Sequence, residues 1–227
     1  MSATQQPAAF PEPVRIVVRP LASPLPLGFL ALAVATTAFA SVQLGWIPQA
    51  QGRTVALGVL ALTVPMQLLA AVMGFLARDP VAATGMGILS GTWGAACLAT
   101  LTSPAGAASD GLGVILLPSG ACLLVPAVAA RSKVVPALVI ATSALRFALT
   151  GVAEIDGGQA WMHAAGWVGI ALAVVSGYAA LALELEGSER RTVLPLGRRG
   201  SSARAVDDRL SDQLDEIAVE PGVRQQL

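Results

Sequence analysis

The chain has 227 residues, of which 55% are hydrophobic and 12% are charged, and its mean hydropathy of +0.69 exceeds that of ordinary soluble domains. This composition predicts a membrane protein. The 14 basic and 14 acidic residues cancel, so no excess of positive charge points to a nucleic-acid partner. Cys97 and Cys122 lie inside apolar runs, where we expect small buried hydrophobic side chains and not a disulfide or a metal site.

Six apolar stretches approach the length that crosses a bilayer, about 17 to 25 residues. They predict helices at 25–46, 54–77, 83–102, 112–130, 134–151 and 161–183. Every backbone polar group in lipid must be bonded internally, and no alternating pattern supports a barrel, so helices are the expected structure. We therefore predict an all-α membrane protein whose six transmembrane helices form a compact bundle. The first run is too long for a signal-peptide core and is expected to be a retained span.

The basic residues that flank these spans fall on one side of the membrane: Arg15, Arg19, Arg78, Arg131, Lys133, Arg190, Arg191, Arg198 and Arg199. The loops on the opposite side hold Arg53 as their single basic residue. Cytoplasmic loops carry an excess of Lys and Arg. We therefore expect a multi-pass protein of the cell membrane with both termini in the cytoplasm.

Three regions follow from the spans. Residues 1–22 form a Pro-rich cytoplasmic segment, residues 23–183 the six-helix transmembrane domain, and residues 184–227 a polar cytoplasmic tail. Four apolar residues of the tail would line one face of a short helix: Val206, Leu210, Leu214 and Ile217. This helix is either solvated or bound to a partner or the membrane surface.

The sequence holds no nucleophile–base pair, phosphate-binding loop or cluster of metal ligands, and a lone His163 cannot build one. We therefore predict no enzymatic activity, cofactor or metal. No Asp or Glu lies within a predicted span, which argues against a carrier that cycles a buried carboxylate. His163 begins the last span, where it is either a hydrogen-bonded structural imidazole or a proton-sensitive gate.

Arg146 is the one charged residue inside a predicted span. A charge at the centre of a membrane helix costs about 2.5 to 3.5 kcal/mol, and less nearer the interface. Either its side chain reaches the outer interface and pairs with Glu154 or Asp156, or it faces a water-filled vestibule and attracts small carboxylates. Thr142 lies one turn further in on the same helix face, so an attracted anion would meet it next.

Three ordered motifs resemble the acetate uptake transporter family. "SPLPLGF" at 23–29 is similar to its N-terminal Asn-Pro-Ala/Val-Pro-Leu-Gly-Leu pattern and matches at Pro24, Pro26, Leu27 and Gly28. "HAAGWVG" at 163–169 resembles the His-x-Ala-Gly-Trp pattern that opens the last span, and "RTVLPLG" at 191–197 resembles the C-terminal stretch of the family. Further residues of the same type as in the family are Gln67, Thr84 and Trp93.

The resemblance implies a ring-shaped homo-oligomer, a hexamer, with one pathway per subunit for acetate and other short monocarboxylates. Succinate is a further candidate substrate, and passage is either channel-like or linked to protons as symport. By the same resemblance, the pathway residues are Ser23, Pro24, Pro26, Leu27, Gly28, Gln67 and, at an apolar constriction, Leu32, Leu89 and Thr142. The prolines either keep the cytoplasmic entrance extended or start a helix whose first turn needs no amide donors.

The chain also departs from the family pattern. Ser23 replaces the signature Asn, Gly74 replaces a Glu, and Leu89 stands where the family has an aromatic residue. Arg146 stands where an apolar residue is expected. The alternative is a divergent member without acetate transport, which acts as a membrane interaction or regulatory protein through its tail or passes another small solute.

Overall fold

The computed structural model describes residues 22–189 and 191–200. Within them, six α-helices are long and apolar enough to cross a membrane: α1 (Leu25–Gln43), α2 (Gly52–Leu76), α3 (Pro80–Thr102), α4 (Asp110–Ala129), α5 (Val134–Asp156) and α6 (Gln159–Glu189). Single 3₁₀ turns at Gln49–Gln51 and Ala130–Ser132 precede α2 and α5. The predicted all-α fold with six spans is confirmed. The N-terminal segment up to residue 21, Arg190 and the predicted tail helix lie outside the described residues.

The six helices form a closed ring, because each packs against its neighbours in sequence and α6 returns to pack against α1. Large apolar side chains fill the interior, among them Phe29, Leu32, Met86, Leu89 and Ile140, all fully buried. Others, such as Phe75, Val125 and Val174, cover the outside of the ring and are more than two-thirds exposed. Apolar residues on both faces are typical of a bundle that stands in lipid.

Cys122 belongs to this outer surface, whereas Cys97 is buried. The expectation that both cysteines are buried is therefore wrong for Cys122. Both thiols are free. A side chain that faces lipid is as apolar as one in the core, so hydropathy could not separate the two positions.

Hydroxyl groups join neighbouring helices inside the ring. Thr63 of α2 donates to the carbonyl oxygen of Ala31 in α1 at 3.0 Å, and Ser90 of α3 donates to that of Val64 in α2 at 3.0 Å. Apolar surfaces do not drive helices together in lipid, so such bonds and close packing hold the bundle. Each is worth on average about 0.6 kcal/mol.

Two helices end later than the sequence predicts. α5 continues five residues past 151 to Asp156, where Gly157 takes a left-handed conformation at φ 68° and its N–H donates to the carbonyl oxygen of Ala153 at 2.9 Å. Glu154 thus lies in the last turn of a spanning helix. α6 continues to Glu189 and crosses the predicted domain boundary at 183.

The chain then folds back against the bundle through a return segment, residues 192–199. Backbone N–H groups of Val134 and Val135 donate to the carbonyl oxygens of Gly197 and Leu196 at 3.2 and 3.1 Å. These amides begin α5 and have no acceptor within their own helix. Leu196 is buried, and Arg198 forms an ion pair with Glu186 of α6. The return segment therefore caps α5 and ties it to α6.

Candidate functional site

A cavity of about 280 Å³ opens at one end of the ring. This distal end carries the α1–α2, α3–α4 and α5–α6 connections, and the proximal end is where the chain enters α1 and leaves α6. All six helices line the cavity, which we name the distal cavity; among its outermost lining residues are Arg53 of α2, Ser109 before α4 and Glu154 of α5. Neighbouring helices are antiparallel, so α1, α3 and α5 end and α2, α4 and α6 begin at this end of the ring. Residues near these helix ends line the cavity.

Three aromatic side chains close the inner end of the distal cavity. Phe39, Trp93 and Phe147 are among the innermost lining residues of α1, α3 and α5. The Trp93 ring centroid lies 5.3 Å from that of Phe39 and 5.4 Å from that of Phe147, with interplanar angles of 43° and 67°. Such offset and edge contacts are favoured by aromatic quadrupoles. The cavity floor is therefore a packed aromatic cluster.

Arg146 lies beside this floor and is 2% exposed. Its Cζ is 5.1 Å from the Trp93 ring centroid, a cation–π distance. Its Nη1 donates to the Thr36 hydroxyl, and its Nη2 donates to Oε1 of Gln43 at 3.1 Å. Gln43 in turn donates from Nε2 to the Thr150 hydroxyl at 3.3 Å. A guanidinium fork held by α1 is thereby fixed in one orientation.

Neither explanation offered for Arg146 from the sequence describes its contacts fully. In the described part of the chain it forms no ion pair with Glu154 or Asp156. Glu154 instead accepts from the backbone N–H of Ser109 at 2.8 Å. The side chain does line the cavity, as the second explanation requires, but two neutral groups of α1 hold it. The positive charge of Arg146 is therefore buried without a carboxylate partner among the described residues.

The residues that the family resemblance singles out lie at different depths. Ser23 is exposed at the proximal end, Pro24 precedes α1, and Pro26 is buried in its first turn. Leu27 follows half-buried, and Gly28 packs against the side chain of Met86 in α3. The missing side chain of Gly28 therefore allows α1 to approach α3 closely at this point.

The remaining predicted pathway residues lie between this end and the distal cavity. Leu32 and Leu89 are fully buried, and Thr142 is half-buried and does not line the cavity. Gln67 is also fully buried, and its amide nitrogen and oxygen both lack a hydrogen-bond partner in the described residues. Of the predicted pathway residues, Arg146 thus lines the distal cavity, and the others lie deeper in the ring or at its proximal end.

His163 stands at the rim of the distal cavity, 4 residues after the start of α6 at Gln159. Its side chain is exposed, and no hydrogen bond joins it to another described residue. The hydrogen-bonded structural role is therefore not observed. The gating role stays a prediction.

Sequence reasoning missed the α1 residues that hold Arg146. Thr36 and Gln43 are seven residues apart and lie on one helix face, so two polar side chains on a common face of a mostly apolar span were a usable signal. Phe39 and Phe147 were also missed. The chain has only five Phe, so a Phe inside a span is uncommon and could have marked a position of interest.

No protein-family model matches this chain, and no curated protein matches it. Among solved structures, the chain is similar to that of the bacterial acetate channel SatP, with a TM-score of 0.66, 78% of this chain and 99% of that chain covered, and 23% sequence identity. The chain therefore has the fold of a multi-pass membrane channel.

Proposed function

We propose that this protein lets small monocarboxylates, acetate among them, cross the membrane along the inside of its own six-helix ring. The observation that carries the proposal is the distal cavity, which leads to the buried and unpaired charge of Arg146. A guanidinium in a site of low dielectric attracts carboxylates strongly and binds them with two parallel N–H groups. The similarity to an acetate channel supports the same substrate class.

Buried polar groups deeper in the ring support a continuous path. Gln67 and Ser176 have side-chain polar atoms without hydrogen-bond partners in the described residues. At about 1.5 Å per residue, both side chains lie on the order of 20 Å from the distal ends of α2 and α6, measured along each helix. A buried polar atom without a partner costs about 1 to 3 kcal/mol, which hydration or a passing solute would offset.

Leu32 and Leu89 form the apolar constriction of the proposed path, since both are fully buried along α1 and α3 between Gly28 and Trp93. Passage is channel-like in this proposal, because no carboxylate lies in the middle of a span to carry a coupled proton. The proposed path runs through the six helices of a single subunit. This agrees with the homohexamer that the family resemblance implies, which has one pathway per subunit, and we propose that it is located in the plasma membrane.

A pair of variants in α3 tests the proposal. Leu89→Trp adds bulk at the proposed constriction, whereas Leu98→Trp adds the same bulk at a position that is 54% exposed on the outside of the helix. We expect Leu89→Trp to lower uptake of radiolabelled acetate into proteoliposomes at least tenfold, and Leu98→Trp to leave it within about twofold. Uptake into empty vesicles is subtracted, since neutral acetic acid crosses lipid by itself.

Equal uptake by both variants would contradict the assigned path. Uptake by the unaltered protein that does not exceed that of empty vesicles would contradict the proposed function itself. Size-exclusion profiles of both variants establish that each is folded before transport is compared.

A further inference from the structure

We infer that the distal cavity selects monocarboxylates with an apolar tail, such as propionate, butyrate and valerate, over acetate and over dicarboxylates of the same length. This inference rests on the proposed function and names its preferred substrate class. It is carried by the juxtaposition of one unpaired guanidinium with the aromatic floor and with aliphatic side chains of α1 and α4 that line the same cavity.

The carboxylate end of the ligand is assigned to Arg146. A guanidinium has five N–H groups, and Arg146 uses two of them on Thr36 and Gln43, which leaves three without an acceptor in the described residues. Thr36 and Gln43 are neutral, so the positive charge of Arg146 is not compensated by them. One carboxylate supplies both the missing acceptors and the missing negative charge.

The tail of the ligand is assigned to the apolar surface around Arg146. Phe39 and Phe147 line the inner cavity, and Val42, Leu112 and Leu116 add aliphatic surface from α1 and α4. Acetate has a single methyl group and covers little of this surface. Burial of one further CH₂ group corresponds to about a fourfold gain in affinity.

A second carboxylate on the ligand finds no matching site at this depth. Placed among these side chains it would lose its hydration without gaining a cation. The other arginine that lines the cavity, Arg53, is exposed at the rim and donates to the carbonyl oxygen of Ser103 at 3.2 Å. Glu154 lines the same outer part and repels a second negative charge. Succinate and butyrate have four carbons each, but succinate ends in a second carboxylate where butyrate ends in a methyl group. This pair therefore tests whether the cavity prefers an apolar tail.

Equilibrium binding to the purified full-length protein tests the inference without transport. Radiolabelled butyrate is bound in detergent and displaced by acetate, propionate, valerate and succinate. We expect affinity to rise about fourfold per added CH₂ from acetate to butyrate, and succinate to bind at least tenfold more weakly than butyrate.

Substitution of the arginine links this series to the assigned residue. Arg146→Met should weaken butyrate binding at least tenfold, whereas Arg131→Met, which removes an exposed arginine at the proximal end, should change it less than about twofold. If the Met variant does not purify as folded protein, Arg146→Lys takes its place and is expected to weaken binding severalfold, since it keeps the charge but loses the fork.

Equal affinity for acetate and butyrate, equal affinity for butyrate and succinate, or unchanged binding by the Arg146 variant would each overturn the inference. The binding experiment and the uptake experiment test different proposals. Selective binding without uptake in proteoliposomes retains the cavity specificity and rejects the proposed function, whereas uptake of acetate without chain-length preference in binding rejects only the specificity.

Discussion

Gly169 of α6 is the residue whose lack of a side chain lets Arg146 take its position. A Cβ at Gly169 would lie 2.9 Å from Nε of Arg146 and 3.1 Å from Cβ of Ala40. Its carbonyl oxygen accepts from the Thr36 hydroxyl at 3.2 Å, and this hydroxyl accepts from Arg146. Any larger residue at 169 must displace the guanidinium, since the backbone of α6 is fixed by its own helix.

Gly169→Ala is therefore expected to weaken butyrate binding about fivefold, which corresponds to the loss of one hydrogen bond of about 1 kcal/mol. Gly177→Ala is the matched control, because it lies two turns further along α6 and its Cβ would meet no atom within 4 Å. Equilibrium binding and thermal unfolding are measured for both variants. Equal affinities would show that Arg146 is not held against α6 as described.

The site could be predicted from the sequence only in part, and Arg146 shows why. A charge inside an apolar span is visible in the sequence because it is costly in lipid. Its partner Gln43 is 103 residues away, and the contact depends on how α1 and α5 are rotated against each other. Spans that are apolar on both faces carry little information about that rotation.

At the scale of elements, the return segment is a loop that packs against the bundle and is hydrogen-bonded to the start of α5. Gly197 makes this turn with φ at 63°, a left-handed conformation that costs other residues about 1 to 2 kcal/mol. A Cβ at this position would also lie 2.7 Å from Cβ of Val134 at the start of α5. The turn and the contact with α5 thus depend on the same glycine.

Gly197→Ala should release the return segment and let trypsin reach the peptide bonds that follow Arg198 and Arg199. We expect cleavage about tenfold faster, which corresponds to about 1.4 kcal/mol in the closing of the segment. Gly200→Ala is the control, since Gly200 has a similar φ of 59° but no atom within 4 Å of its Cβ. Rates are normalised to those of synthetic peptides with the same residues. Equal rates for both variants would exclude steric contact with Val134 as the anchor.

The helices themselves were predictable because lipid leaves the backbone few alternatives. Their ends were less so. Hydropathy falls at the polar residues Glu154 and Asp156, yet α5 continues through them until Gly157 supplies the left-handed cap. The end of a helix is set by its cap, whereas the end of an apolar stretch is set by the first polar residues. The predicted and observed helix ends agree only where the cap lies next to those polar residues.

At the scale of the whole molecule, the ring is asymmetric in charge. The exposed or half-buried basic residues of the proximal end, as far as the structure describes it, are Arg78, Arg131, Lys133, Arg191, Arg198 and Arg199. At the distal end the exposed residue of this kind in the same ranges is Arg53. From the positive-inside rule we therefore predict that the distal cavity faces the outside of the cell.

Two single-cysteine proteins test this orientation, in a background where Cys97 and Cys122 are replaced by Ala. His163→Cys lies exposed at the rim of the distal cavity, and Arg131→Cys lies exposed at the proximal end. On intact cells, a membrane-impermeant maleimide should label His163→Cys and should label Arg131→Cys only after permeabilisation. The reverse pattern would open the distal cavity to the cytoplasm, so that Arg146 would meet internal carboxylates first. With the expected pattern, external carboxylates reach Arg146 before they reach Leu32 and Leu89, and selection by the cavity precedes passage through the constriction.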